Sequence, residues 1–370
     1  MNPVLPPVDP LPLPAPVWLI VLLQTVTFIL HLLAMNLLMG GGVLAAISGA
    51  RGKANVPHHR KLAETIGGIL PVVTAATITL GIAPLLFIQV LYGRFFFTSS
   101  ILLAVPWILV IVLLCLAYYG HYFSALSETV RRERFLWVAW LSALFVIAIG
   151  FIYTNNLTLM QTPERFRELY LSGRSGLRLN LAEPTLLPRF LHFFVASLAV
   201  AGLGTLLIGH HARRRGDPKF GTWAARYGMV WFAGATMVQV LVGFWFLLSQ
   251  PDAIRAAFLG GSIVHTVHLF GAAFLALAAV FLIVMKPDSR RHFWISAALL
   301  VVTVVVMVLV RHWVRRFMIG DVDGFEQMSV ETQWGVLPIF LVLFVASLGV
   351  IGWMLRRMRI ESGATPDRID

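Results

Sequence analysis

Residues 185–204 read TLLPRFLHFFVASLAVAGLG. Beyond Pro188, Arg189 and His192 the run holds only small and apolar side chains and a single serine, with no other ionisable group. About 20 such residues in a helix span the ~30 Å hydrocarbon layer of a bilayer. His192 would then lie one turn inside an apolar helix, where an ionisable group is expensive and is a functional candidate by default. Whether that reading holds depends on the rest of the chain.

The 370 residues are 58% hydrophobic and 12% charged, with a mean hydropathy of +0.83. A soluble domain carries roughly 25% charged residues. Nine stretches are long and apolar enough to cross a membrane: 17–49, 63–91, 99–124, 135–154, 188–209, 222–249, 262–285, 293–314 and 335–355. The expected fold is therefore all-α, a polytopic transmembrane bundle of about nine helices. An extended Pro-rich N-terminus (1–16), one transmembrane helical domain (17–357, with an outer loop at 155–187) and a cytoplasmic tail (358–370) would make up the chain.

The net charge of +12 does not point to nucleic acid, because the basic residues cluster on alternate connections. Arg51, Lys53, Arg60 and Lys61 follow the first stretch; Arg131, Arg132 and Arg134 follow the third; Arg213, Arg214, Arg215 and Lys219 follow the fifth. Lys286, Arg290 and Arg291 follow the seventh, and Arg356, Arg357 and Arg359 follow the last. This is the positive-inside bias; it puts the N-terminus outside and the C-terminus in the cytoplasm, in the inner (cytoplasmic) membrane of a cell. The first basic residue is Arg51, so no positive n-region marks a cleavable signal. Seven prolines keep MNPVLPPVDPLPLPAP extended. With one cysteine, Cys115, neither a disulfide nor a CxxCH haem attachment is available.

The histidines sort by depth. His58, His59, His210, His211 and His292 fall in the basic connections and His121 near the inner end of the third stretch, where they are expected beside lipid headgroups. Nearer the outer side are His31, His192, His265 and His268, with His312 marking the outer end of the eighth stretch. His192 and the His265/His268 pair enter their helices from the same side, so their imidazoles reach similar depths. Ala196 and Ala199 follow His192 on its face, and Gly271 and Ala272 follow His268. Small residues beside an imidazole leave room for a flat cofactor; they also let helices pack closely with none. Gln24, Thr27 and His31 share a face of the first stretch, with Gly40–Gly42 below them. Imidazole without thiolate or carboxylate suits non-covalent haem b or copper rather than an iron–sulfur cluster. No HxxxH or HExxH motif supports zinc.

Through its first six stretches, about two-thirds of its length, the chain resembles subunit I of the cytochrome bd quinol oxidases. LQTVTFILHLLAMNLLMGGGVLAAI resembles that family's first helix, with His31 at the position of an axial haem ligand. NNLTLMQTP resembles the family's NGWMQNP segment, matching at Met160, Gln161 and Pro163. PRFLHFFVASLAVAGLG resembles the helix whose histidine ligates the low-spin haem b, which maps to His192. The family's second ligand is a methionine; the corresponding turn here, GSIVHTVHLFGAAF, offers His268 or its near-equal alternative His265. The membrane glutamate pair falls near Pro106 and Leu114, the later glutamate falls in VVTVVVMVLV (301–310), and only SQPDAIRAAFLGGS stands where the quinol loop would be.

The resemblance implies a membrane haem b protein, with one haem between His192 and His268 and a second place marked by His31. Arg189, Arg311 and Arg315 stand where they would pair with haem propionates or snorkel to the outer interface. As an oxidoreductase subunit it would carry electrons between the membrane quinone pool or a partner subunit and a periplasmic c-type cytochrome. A terminal oxidase and a non-redox transporter or structural subunit are the alternatives. The outer loop is expected to carry a short helix in PERFRELYL, with Phe166, Leu169 and Tyr170 on one face, lying over the haem as part of a partner's docking site.

Overall fold

The computed structural model describes residues 11–53, 56–126, 134–173, 176–320 and 329–361. The helices are α1 (Val17–Lys53), α2 (Pro57–Leu126), α3 (Arg134–Met160), the short α4 (Phe166–Leu171), α5 (Leu186–Arg214), α6 (Pro218–Leu248), the short α7 (Asp252–Ala256), α8 (Ile263–Met285), α9 (Arg290–Ile319) and α10 (Leu337–Glu361). Eight of them are long and apolar enough to cross a membrane. Arg131 and Arg132 and most of the C-terminal tail, including Arg359 as a side chain, lie outside the described residues.

α2 contains two of the nine expected stretches. Its 70 residues would run about 105 Å if straight, three times the bilayer core. Non-helical backbone at Tyr92 (φ −127°, ψ 29°) and Ala104 (φ 23°, ψ −85°) folds it back on itself. The two arms meet again where Thr74 Oγ1 lies 2.9 Å from His121 Nδ1. His121 is thus buried between helices rather than placed beside lipid headgroups. His58 and His59 likewise lean on protein, stacking on and edging toward the Trp223 ring of α6.

α3 continues six residues past the expected end at Thr154, because its polar residues find partners inside the protein. Thr154 and Thr158 hydroxyls donate to carbonyls one turn back, Asn156 Nδ2 donates to Ser100 Oγ at 3.0 Å, and Asn155 Oδ1 accepts from the Asn180 amide at 3.1 Å. The outer connection is consequently tied to the α2 break. Val105 N–H, freed from helical bonding there, donates to Gly176 O at 3.1 Å. Gly176 has φ +66°, a conformation that favours glycine.

α5 and α6 are in backbone contact. A Cβ on Gly202 or Gly228 would overlap the facing backbone, and Gly209 and Gly221 meet in the same way two turns further along. Seven-residue spacing on both helices keeps these glycines on one face. Asp217 starts α6 by accepting from the Phe220 amide at 3.1 Å, with Pro218 at the first helical position. Gly40 brings α1 against Ser197 of α5 in the same manner. Leu13 of the extended N-terminal segment pairs with 329–331, accepting from Glu331 and donating to Ser329. α10 stands apart: no residue of Leu337–Met354 is buried within the chain.

Candidate functional site

α5, α6, α8 and α9 surround a cavity of about 210 Å³, with α1 contributing Phe28 and Leu32. Ligand clefts usually measure about 300–1,000 Å³, so a large, flat group would enter only by displacing the flexible side chains that line this one. The walls are apolar: Phe193, Phe246 and Phe270 among the rings, and Ala272, Ala273 and Ala276 as a smooth strip on α8. Polar groups are few. His192, Arg189 and Arg311 are the basic ones, and Gln239, Gln250, Gln161, Thr236 and Thr303 are neutral.

His192 sits where α5 passes α6. A Cβ on Gly243 would lie 3.2 Å from its Cε1, so the absence of a side chain at 243 gives the imidazole its place. Its Nδ1 is buried and has no hydrogen-bond partner among the described residues. Phe246 packs on the ring, with centroids 6.3 Å apart.

Arg189 and Arg311 both line the cavity. Arg189 is buried beneath the outer surface, over the Phe246 ring at 5.2 Å, with Nε and Nη2 lacking partners among the described residues. Arg311 lies over the Phe28 ring at 4.4 Å. Arg315, one turn on, is 1% exposed and lies over the Tyr92 ring at 4.3 Å; its Nη2 donates to Gln24 Oε1 at 3.2 Å. Arg189 and Arg315 therefore do not snorkel. Among the described residues none of the three forms an ion pair. Glu183, the acidic residue closest to Arg189 in sequence, accepts from the Thr185 hydroxyl at 2.9 Å. Glu183 offsets part of the Arg189 charge without a direct ion pair; a buried cation without a bonded counter-charge costs several kcal/mol, so the charges of Arg189 and Arg311 favour an anionic group in the cavity.

The other histidines are placed differently. His31 Nδ1 lies 3.0 Å from Thr77 O; a carbonyl only accepts, so Nδ1 carries the proton and Nε2 keeps its lone pair. Gly81 faces that ring so closely that a Cβ would stand 2.8 Å from Cε1. His31 does not line the cavity. His268 is half-buried with Nδ1 2.7 Å from Val264 O of its own helix, again leaving Nε2 as the acceptor. His265 is boxed by Phe258, Trp313 and Phe317, and neither of its buried nitrogens has a partner among the described residues. Neither His265 nor His268 lines the cavity, so the expected facing of His192 by one of them is not part of this arrangement. His312 Nδ1 accepts from Arg315 Nη2 at 3.2 Å.

Met307 of α9 lines the cavity and is its sole thioether. The sequence reading passed over it, along with Gln239 and Gly243, because it weighed ionisable side chains. The single amide in TMVQVLVGFWFLL was a signal that could have been used. Three His, Cys, Asp or Glu side chains nowhere converge among the described residues; two axial donors for a haem need no such group.

Among solved structures, the bd oxidase from Geobacillus thermodenitrificans is similar to this chain, with a TM-score of 0.70 over 94% of this chain and 100% of that one. The chain has a bd-oxidase-like fold. Sequence identity across that match is 13%, so the likeness is one of architecture. It extends past α6, beyond the portion in which the sequence motifs are similar. No family model matches the chain, and no curated protein matches its sequence.

The short outer helix expected in PERFRELYL is present, as a 3-10 turn at Pro163–Arg165 continued by α4. Phe166 and Leu169 are buried against Leu102, Leu103 and Leu159. Tyr170 leaves that face and is 68% exposed, beneath the Arg178 guanidinium at 5.9 Å. α4 therefore covers the α2 break; among the described residues of the outer connection 155–187, Gln161 alone reaches the cavity, and Arg189 joins it from just past the end.

Proposed function

We propose that this chain is a membrane haem b protein that transfers electrons, with its haem in the cavity bounded by α5, α6, α8 and α9. The observation that carries the reading is one apolar cavity containing an unpartnered buried imidazole nitrogen and two guanidinium groups without a carboxylate. Apolar walls, one axial base and two cations match a flat macrocycle bearing two propionates. When bound, haem supplies a one-electron iron couple. His192 would give an imidazole lone pair without breaking an existing hydrogen bond. Arg189 and Arg311 would hold the two carboxylates, and the alanine strip and phenyl rings would keep water from the haem.

A second side chain on the haem would come from Met307, from His268 or from its near-equal alternative His265. Met307 already lines the cavity; His268 has its Nε2 lone pair but would have to turn into the cavity from its present place on α8. A second haem would take His31, whose Thr77 contact fixes the tautomer a ligand needs. Arg315 secures the wall behind Arg311 through Gln24. Electrons would pass between the quinone pool or a partner subunit and a c-type cytochrome at the outer face, near which Arg189 lies. The test is the reduced-minus-oxidised spectrum of the purified protein: wild type should show a b-type band of which His192→Ala abolishes one component. A full band in that variant would remove His192 from the site.

The bd-like fold favours a second reading, a terminal oxidase. Against it, no Asp or Glu occurs from Ser99 to Leu126 or from Phe293 to Ile319, where carboxylates would relay protons at depth. Cyanide-sensitive oxygen consumption by the partner-free protein, given reduced quinol or reduced c-type cytochrome, would establish the oxidase instead.

A further inference from the structure

At the opposite, basic end of the bundle, the first three turns of α6 and His58 of α2 border an open cleft of about 680 Å³. Lys219, Thr222 and Arg226 lie along one side of α6, and Trp223 and Tyr227 form a floor. That floor is built rather than incidental. Trp223 and Tyr227 stack at 5.1 Å and 10°, His58 stacks on Trp223 at 5.5 Å, and His59 meets both rings edge-on at 4.7 and 5.1 Å.

The charges around the cleft are unbalanced. Glu64 is taken by Arg60 at 3.1 Å, Asp217 by Lys61 at 2.6 Å and Asp288 by Arg213 at 2.5 Å. Lys219 and Arg226 have no ion pair or hydrogen bond among the described residues, although both are exposed and border the cleft. Every described carboxylate between α1 and α2, α5 and α6, and α8 and α9 therefore already has a basic partner. Among the described residues, no carboxylate at this end is left to pair with Lys219 and Arg226.

Below the cations the same side of α6 becomes apolar. Val230 is 63% exposed, Gly234 has open space where a side chain would stand, and Met237, Val238 and Leu241 continue as exposed apolar surface. Trp and Tyr at headgroup depth, with cations above and a smooth apolar track below, describe a ligand that is charged at one end and hydrocarbon at the other.

We propose that this cleft binds an anionic phospholipid of the cytoplasmic leaflet. Its phosphate lies between Lys219 and Arg226, its headgroup rests on Trp223 and Tyr227, and an acyl chain follows Val230 and Gly234. The proposal is independent of the haem reading, since the cleft shares no residue with the cavity. It also gives a function to part of the basic clustering that the sequence uses to set orientation.

The experiment is native mass spectrometry of the full-length protein titrated with phosphatidylglycerol or with phosphatidylcholine of the same acyl chains. Wild type should bind phosphatidylglycerol more tightly by about 30-fold, the effect of two basic groups each contributing roughly a factor of five beside an anionic lipid. Lys219→Gln with Arg226→Gln should lose that preference. Both side chains are exposed, so the fold should tolerate the change; an unaltered far-UV circular dichroism spectrum checks it. Arg356→Gln with Arg357→Gln, at the same end on α10, should keep the preference. Equal binding of the two lipids, or a preference retained by the Lys219/Arg226 variant or lost by the Arg356/Arg357 variant, would overturn the proposal. Displacement of the lipid by inorganic phosphate in the millimolar range would also overturn it, making the cleft a site for free phosphate.

Discussion

Replacing Arg189 by Met should change the protein in opposite directions depending on whether its cofactor is present. The guanidinium is buried, has two nitrogens without partners, and forms no ion pair among the described residues. In the apo-protein it is a buried charge with no ion-pair partner, so exchanging it for an apolar group of similar volume should stabilise the fold. In the holo-protein the same guanidinium meets a propionate, and deleting one partner of a buried pair costs about 3–5 kcal/mol. Haem affinity should therefore fall by roughly two to four decades. Two assays separate the terms: detergent-induced unfolding of protein made without haem, and the rate of haem transfer to an acceptor apoprotein. Arg189→Met should raise the first midpoint and accelerate the second. If apo stability does not rise and haem is retained as well as in wild type, the guanidinium does not await an anion, and the propionate assignment fails.

Met307→Leu should convert the low-spin spectrum to high-spin if Met307 is the second axial ligand; if the conversion appears only in His268→Ala, α8 supplies it instead. His31→Ala should remove a second b-type component while leaving the His192 component intact, which redox titration resolves. Gly228→Leu should destabilise by at least the roughly 1–3 kcal/mol typical of overpacking, because its Cβ would meet the α5 backbone; unchanged thermal unfolding would refute the close approach. Tyr170→Ala with Leu171→Ala removes two exposed apolar side chains of α4, and should slow electron exchange with the partner while the haem spectrum stays unchanged. The Asp217 carboxyl is held below its ordinary 3.8 chiefly by the Lys61 hydrogen bond. Its contribution to stability is therefore present above that value and is lost as the pH falls further, so Asp217→Asn should flatten acid unfolding below about pH 4.

The sequence by itself determined the class of fold, a polytopic helical bundle. Nine apolar stretches can satisfy their backbone in lipid only as helices, and alternating Arg and Lys clusters fix which way each runs. It also singled out His192, Arg189 and Arg311, because an ionisable group in an apolar run stands out without reference to anything else. What it left undecided was which helix faces which. Helical periodicity assigns a residue to a face of its own helix but carries no information on the rotation of the neighbouring helix. That rotation is set by backbone contacts such as Gly202 against Phe232 and Gly228 against Leu206. Those contacts, with α8 and α9 packed alongside, put Met307, Gln239 and Gly243 around His192 and leave His268 outside the cavity lining. Likewise the polar run NNLTLM reads as the end of a span until Ser100 and the loop at Asn180 are brought beside it, where buried hydrogen bonds let the helix continue. The position of each charge along its own helix was legible in the residues; what each charge meets depends on side chains that only the packing of distant segments brings within reach.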